Sequence, residues 1–171
     1  MTQHSVTLRH FKHAKFAYLS ALLSILSPAP STLLSPTPEP FFSFTTLLGL
    51  WFLAPAADQH GGENVWSRCA RTLLAAIFFA VSTAVRANGV LLAGFLLWTG
   101  FWEAHPAQRA TAASLVSALT TLAGTAITLA PFLAGQAWSY ERFCLAGAAD
   151  SRLWCEATLR SVYSFFQSEY W

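Results

Sequence analysis

The sequence predicts an all-α polytopic membrane protein with about five transmembrane or partial transmembrane helices. Three observations predict it. Hydrophobic residues make up 54% of the 171 residues and charged residues only 11%, where an ordinary soluble domain is about 25% charged. Thr111–Ala134 contains no charge over 24 residues, and about 20 apolar residues carry a helix across a bilayer. Three further apolar runs precede it. A soluble fold of this size needs more charge to cover its surface. A soluble globular enzyme, a disordered chain and a disulfide-dense secreted module are therefore poor fits. A scattered net charge of +2 lacks the basic patch that binds nucleic acid.

Each element can be justified in turn. Residues 1–15 read as a basic cytosolic flank. His4, His10 and His13 lie in it, and a solvated stretch drawn to anionic head groups is favoured there over a metal site. No small-residue cleavage site closes an apolar stretch of signal-peptide length. The first apolar segment is 16–34, interrupted by Pro28 and Pro30. The second is 41–57, with Trp51 and Phe52 near its end. Asp58–Asn64 reads as a polar connection, and neither Asn64 nor Asn88 begins a glycosylation acceptor site.

Thr72–Trp102 follows, 31 residues with Arg86 near the middle. One straight helix of that length would measure roughly 46 Å against a ~30 Å hydrocarbon core. Two helices, 69–85 and 89–102, joined at Arg86-Ala87-Asn88-Gly89, fit better. Asn-Gly is a turn signal, since both residues tolerate positive φ. The break also moves Arg86 from the bilayer centre, where it would cost a few kcal/mol, to an interface. The last apolar segment is 111–134, and 135–171 form a tail rich in aromatic rings.

Five crossings with the N-terminus inside place Arg9, Lys12, Lys15, Arg68, Arg71 and Arg109 on the inner side. Arg86, Arg142, Arg152 and Arg160 then lie outside. The bias sharpens for the short flanks, because charges in a long tail count less. A single span over 72–102 would move the tail to the inner side.

Cys69 starts an apolar run and reads as a buried, inert thiol. Cys144 and Cys155 both lie in the tail. In an oxidising lumen a disulfide joins them most simply; in a reducing compartment they are two thiols. Two cysteines without nearby histidine supply half a zinc ligand set, and no metal site is expected. The tail aromatics, among them Trp138, Trp154, Tyr163 and Trp171, read as an interfacial belt. A sugar- or lipid-binding surface has the same composition.

The tail reads Tyr140-x-x-Phe143-Cys144, then Trp154-Cys155, then Tyr163-Ser-Phe-Phe-Gln167-Ser-Glu-Tyr170-Trp171. It closely resembles the lumenal signature of the GPI mannosyltransferase II family (the PIG-V type). Two upstream stretches agree in order. Ser27-Pro28-Ala29 with Thr37-Pro38-Glu39 resembles the family's Ser-Pro-Ala and Tyr-Ser-Glu motifs, and Val85-Arg86-Ala87-Asn88-Gly89 resembles its Thr-Arg-Ser-Asn-Gly turn. Two departures stand out: Thr37-Pro38 replaces Tyr-Ser, and Leu159-Arg160 replaces a proline pair.

The resemblance implies part of a GT-C type glycosyltransferase of the endoplasmic reticulum membrane, with its tail lumenal. The implied reaction moves mannose from dolichyl-phosphate-mannose onto the glycosylphosphatidylinositol precursor as its second mannose. It implies no cofactor, no nucleotide motif and a small membrane partner subunit. The family's first helix and acidic lumenal loop have no counterpart here, so the chain is expected to be an internal fragment, inactive alone. A truncated inactive scaffold and a small transporter subunit are the competing classes.

Glycosyl transfer needs a carboxylate to take a proton from the acceptor hydroxyl and donors to hold the leaving phosphate. Glu39 is the acid at the outer end of the first helix pair, and its plain alternative is a helix N-terminal acid. The family's expected catalytic acid is missing, so the base is left unassigned. Arg86 matches a phosphate bidentately, or snorkels to the interface. Asn88 could bond sugar hydroxyls or simply fit the turn. Gln167 and Trp171 are candidates for sugar hydrogen bonding and stacking. Arg86 and Gln167 are expected to converge on one lumenal cavity.

Overall fold

The computed structural model describes residues 2–11, 13–25, 38–54, 64–103, 112–145 and 155. Every regular element among them is helical. In chain order these are α1 (Thr2–Phe11), α2 (Ala14–Ile25), α3 (Glu39–Leu53) and α4 (Val65–Val85). A 3₁₀ turn (Ala87–Leu91), α5 (Leu92–Glu103), α6 (Ala112–Tyr140) and a π turn (Glu141–Leu145) follow. The chain divides into two compact units, Met1–Leu129 and Ala130–Trp171.

The stretch read as a basic flank contains a helix. α1 packs against α2 and α3, and the Thr7 and Ser20 hydroxyls are 3.2 Å apart across the α1–α2 pair. The segment expected over 16–34 is helical from Ala14 to Ile25, and 26–37 lie outside the described residues. Twelve residues give about 18 Å of helix, too little to span alone.

α3 begins two residues before the expected 41–57 segment and stops at Leu53. Pro40 sits in the first turn, where its missing N–H is not needed. Ala54 is extended, with φ −63° and ψ 134°, the conformation that a following proline imposes. α4 begins four residues before the expected Cys69. Asn64 caps it, with Oδ1 accepting from the Trp66 N–H at 3.3 Å. This end is a polar N-cap followed by Trp66-Ser67-Arg68, which no apolar run would reveal.

The helix break within 72–102 falls at Arg86. Arg86 is extended (φ −146°, ψ 130°), and its N–H still reaches the Ser82 carbonyl at 2.9 Å. The 3₁₀ turn carries the chain into α5. α6 covers the expected segment from Ala112 on and continues to Tyr140, so helix enters the stretch read as tail.

Small residues let these helices approach. A Cβ at Gly49 on α3 would lie 2.5 Å from the Phe79 ring of α4. A Cβ at Gly100 on α5 would meet Thr121 of α6 at 2.6 Å, and one at Gly124 would meet Ala76 at 3.2 Å. Close backbone contact at such residues is how helices associate in lipid, where apolar surface alone gives no driving force. Around them Ala75, Ala76, Phe79, Leu92 and Leu96 form the core, with Leu50, Phe52 and Leu53 packed on it. Phe52 and Phe78 stack at 5.5 Å. Buried Cys69 accepts from the Thr120 hydroxyl at 3.2 Å.

Large apolar side chains also face outward, including Leu74, Ile77 and Val81 on α4 and Leu115, Leu119 and Leu122 on α6. So much exposed apolar surface suits lipid contact. Two helices are long and apolar enough to cross a membrane, Val65–Val85 and Ser114–Cys144, the second counted through the π turn. Ala14–Leu23 and Ala87–Phe101 are apolar and shorter.

In the second unit, Pro131 lies inside α6. Proline has no N–H to continue the helical ladder there. The π turn then brings Cys144 into a disulfide with Cys155, with Cα atoms 5.7 Å apart.

Candidate functional site

The α3–α4 pair is pinned at both ends by charged side chains. At one end Arg71 Nη1 donates to the Ala54 carbonyl at 3.1 Å. That satisfies an acceptor beyond the last turn of α3, where a cation also suits the helix dipole. At the other end Glu39, in the first turn of α3, meets Arg86, which ends α4. Arg86 Nη1 lies 3.1 Å from Glu39 Oε1. An acid at a helix N-terminus is favoured by the same dipole.

The pair is half-buried. The Arg86 side chain is 41% exposed and that of Glu39 33%. Phe42, three residues after Glu39, sits on the same face of α3, as helical spacing requires. Its ring centroid is 6.0 Å from Arg86 Cζ, at the outer range of a cation–π contact. The guanidinium is thus set by a carboxylate and by an aromatic face. It carries five N–H donors in a planar fork, and the Glu39 contact engages Nη1. The arrangement can present a positioned cation to an anionic oxygen.

Two features fix the backbone beneath it. The first is a buried hydroxyl cluster one turn into the helix pair. Ser82 and Thr45 Oγ atoms are 2.7 Å apart, and Thr46 Oγ1 donates to Ser82 Oγ at 3.3 Å. Thr45 Oγ1 also reaches the Phe41 carbonyl at 2.9 Å. With one proton per hydroxyl, the order Thr46 to Ser82 to Thr45 to Phe41 O satisfies all three groups. The second feature is Gly89. Its N–H donates to the Arg86 carbonyl at 2.9 Å, and a Cβ there would lie 2.5 Å from Thr83 Cα. The turn therefore sits directly on the last turn of α4.

Of the residues singled out from sequence, the structure brings Glu39 and Arg86 together. Asn88 is exposed in the 3₁₀ turn, two residues from Arg86. Gln167 and Trp171 lie outside the described residues, and so does any convergence of Gln167 with Arg86. Cys144 and Cys155 are bonded to each other. Phe42, Thr45, Thr46 and Ser82 were not singled out. The i, i+3 relation of Phe42 to Glu39 could have flagged the first. The hydroxyl residues carry no signal until α3 and α4 are paired. Among the described residues no three His, Cys, Asp or Glu side chains gather as a metal site.

The profile of the mannosyltransferase (PIG-V) family matches residues 1–171. GPI mannosyltransferase 2 of Aspergillus fumigatus is 31% identical over 163 residues, covering 94% of this chain and 36% of the relative. The protein of that name from Aspergillus oryzae is 29% identical over 161 residues, covering 92% and 37%. GPI alpha-1,6-mannosyltransferase 2 of Cricetulus griseus is 30% identical over 186 residues, covering 91% and 33%. This chain thus spans about a third of the length of the curated relatives it matches. No solved structure matches. A family profile matched from the first residue to the last, and relatives that align over nine-tenths of the chain, agree: the chain belongs to the PIG-V mannosyltransferase family.

Proposed function

We propose that this chain forms part of a GPI mannosyltransferase that transfers mannose in α-1,6 linkage to the glycosylphosphatidylinositol precursor, as its second mannose. The donor is dolichyl-phosphate-mannose and the site faces the lumen of the endoplasmic reticulum. The names of the relatives support the reaction. The Cys144–Cys155 disulfide supports an oxidising compartment on the tail side. In this reading the segments 16–34, 41–57, 69–85, 89–102 and 111–134 lie in the membrane. The complete enzyme works with a small membrane partner subunit and needs no cofactor.

The single observation that carries the chemistry is Arg86 held at the end of the α3–α4 pair. The acceptor hydroxyl oxygen bonds to the mannose anomeric carbon as the bond from that carbon to the dolichyl phosphate oxygen breaks. The hydroxyl proton goes to a carboxylate, which is left unassigned here. The departing phosphate gains negative charge, and Arg86 donates hydrogen bonds to it. Such charge-assisted bonds strengthen as charge develops. Asn88, Gln167 and Trp171 supply hydrogen bonds and a stacking face to the sugars.

A chimera tests the proposal. This chain replaces the matching third of the Aspergillus fumigatus relative, in cells lacking their own enzyme. GPI-anchored protein at the cell surface is read by flow cytometry. The chimera restores display, and its Arg86→Ala variant restores much less. A chimera that is inserted in the membrane at normal level yet restores nothing refutes the assignment. Full display with Arg86→Ala removes Arg86 from the site.

A further inference from the structure

We propose that Glu39 is a positioning residue, acting through Arg86: its carboxylate orients the guanidinium so that the remaining N–H edge receives the donor phosphate. The inference rests on Arg86 being the phosphate ligand, and adds a role for a residue 47 positions away in sequence. Three observations carry it. Glu39 Oε1 and Arg86 Nη1 are 3.1 Å apart. Phe42 offers its ring to the same guanidinium at 6.0 Å, so two neighbours on one face of α3 set its plane. The backbone beneath is held on both helices, by the Thr45–Ser82 hydroxyl contact at 2.7 Å and by the Gly89 N–H on the Arg86 carbonyl at 2.9 Å.

An arginine at a helix end has several rotatable bonds and, unpaired, samples many orientations. A carboxylate partner anchored to a second helix removes most of them before the phosphate arrives. Binding then loses less side-chain entropy. Glu39 also occupies one donor of the fork, which steers the phosphate to the others. The first turn of α3 is therefore part of the donor site without touching the donor.

The test uses the chimera once it has been shown active, in membranes supplied with radiolabelled dolichyl-phosphate-mannose. Glu39→Ala raises the donor KM about tenfold and lowers kcat by no more than Arg86→Ala does, because the carboxylate acts only through the guanidinium. Glu39→Gln keeps an accepting oxygen in place and returns KM to within about threefold of the parent. The Glu39→Ala/Arg86→Ala double variant is no worse than Arg86→Ala alone, since residues acting through one another are not additive. A multiplicative double variant overturns the proposal. So does a Glu39→Ala variant whose kcat falls further than that of Arg86→Ala, which would place the carboxylate on the reacting atoms. Where Glu39→Ala does not accumulate in the membrane, Glu39→Asp serves: one methylene shorter, it raises KM and lowers kcat no further than Arg86→Ala does. If Arg86→Ala leaves both donor KM and kcat unchanged, the phosphate reading fails, and this one with it.

Discussion

Gly89 is the position where one added carbon should do the most damage. A Cβ there would lie 2.5 Å from Thr83 Cα, 2.6 Å from Thr83 N and 2.7 Å from Thr83 Oγ1. Carbon contacts rest at about 3.5–4.0 Å, so Gly89→Ala demands a separation of about 1 Å. Two of the three atoms are backbone, and no rotamer change relieves them. Either the 3₁₀ turn lifts from α4 or the last turn of α4 unwinds. Overpacking of this kind costs about 1–3 kcal/mol. Lifting the turn also strains the Gly89 N–H bond to the Arg86 carbonyl, worth about 1 kcal/mol. The total is about 2–4 kcal/mol, which by the scaling of soluble domains this size lowers Tm by roughly 5–15 °C. Gly94 provides the control, since a Cβ there meets nothing within 4 Å. Gly94→Ala should hold Tm or raise it slightly, because alanine favours a helix by about 1 kcal/mol over glycine. Both variants are heated in detergent and scored by the surviving monodisperse peak in size exclusion. A Gly89→Ala protein that melts with the parent would mean that the turn does not sit on Thr83, and the placement of Arg86 would lose its backbone argument.

The remaining expectations concern the same helix pair and the tail. Gly49→Leu should separate α3 from α4, because a Cβ there would meet the Phe79 ring at 2.5 Å and the Ala75 carbonyl at 3.2 Å. Pairing the milder Gly49→Ala with Phe79→Leu should recover part of the loss, read as a coupling in a double-mutant cycle. Ser82→Ala removes the hydroxyl shared by Thr45 and Thr46, for a loss of about 1 kcal/mol in thermal unfolding; Ser82→Thr, which keeps it, should cost less. Non-reducing peptide mapping should recover a cross-linked fragment holding Cys144 and Cys155, whose sequence separation is 11. Removing that cross-link with Cys144→Ala should cost about 3 kcal/mol in the chain-entropy model, whereas alkylation of both thiols in the native protein would contradict the bond.

Much of the helical pattern was legible because apolar runs and chain breakers act locally. The break at Arg86 follows from a charge and an Asn-Gly pair inside a run too long for one span, and the structure places it there. Helix ends were less legible where polar residues make them. α4 starts at Asn64 and Val65, before its apolar run, because a cap is chosen for hydrogen bonding and not for hydropathy. α1 has no apolar run, and reading by hydropathy passes over it; its partners α2 and α3 supply the packing. α6 outlasts its run because Gly135 and Gln136 end the hydropathy without ending the helix. At the site both charged residues were visible and their contact was not. Glu39 starts one helix and Arg86 ends another. Only once α3 and α4 are paired with opposite chain direction must those ends coincide.

The spacing of charge along that pair bears on the role proposed for Arg86. α3 has 15 residues from Glu39 to Leu53, or about 22 Å of helix. On α4, Arg71 and Arg86 are also 15 residues apart, again about 22 Å. The apolar slab between the two pinned ends is thus several ångströms thinner than a ~30 Å hydrocarbon core. A mismatch of that size draws the bilayer inward at the helix pair, or leaves the Glu39–Arg86 end below the head groups with Arg86 reaching toward them. In the second case the guanidinium lies where little water competes. There a charge-assisted bond is stronger than at an open surface, and an arginine without its carboxylate is costlier to keep. If Arg86 holds a phosphate as proposed, the ion pair that positions it also makes Arg86 tolerable at that depth. Losing Glu39 should therefore lower the amount of protein held in the membrane, read by immunoblot of membrane fractions, as well as the donor affinity proposed above.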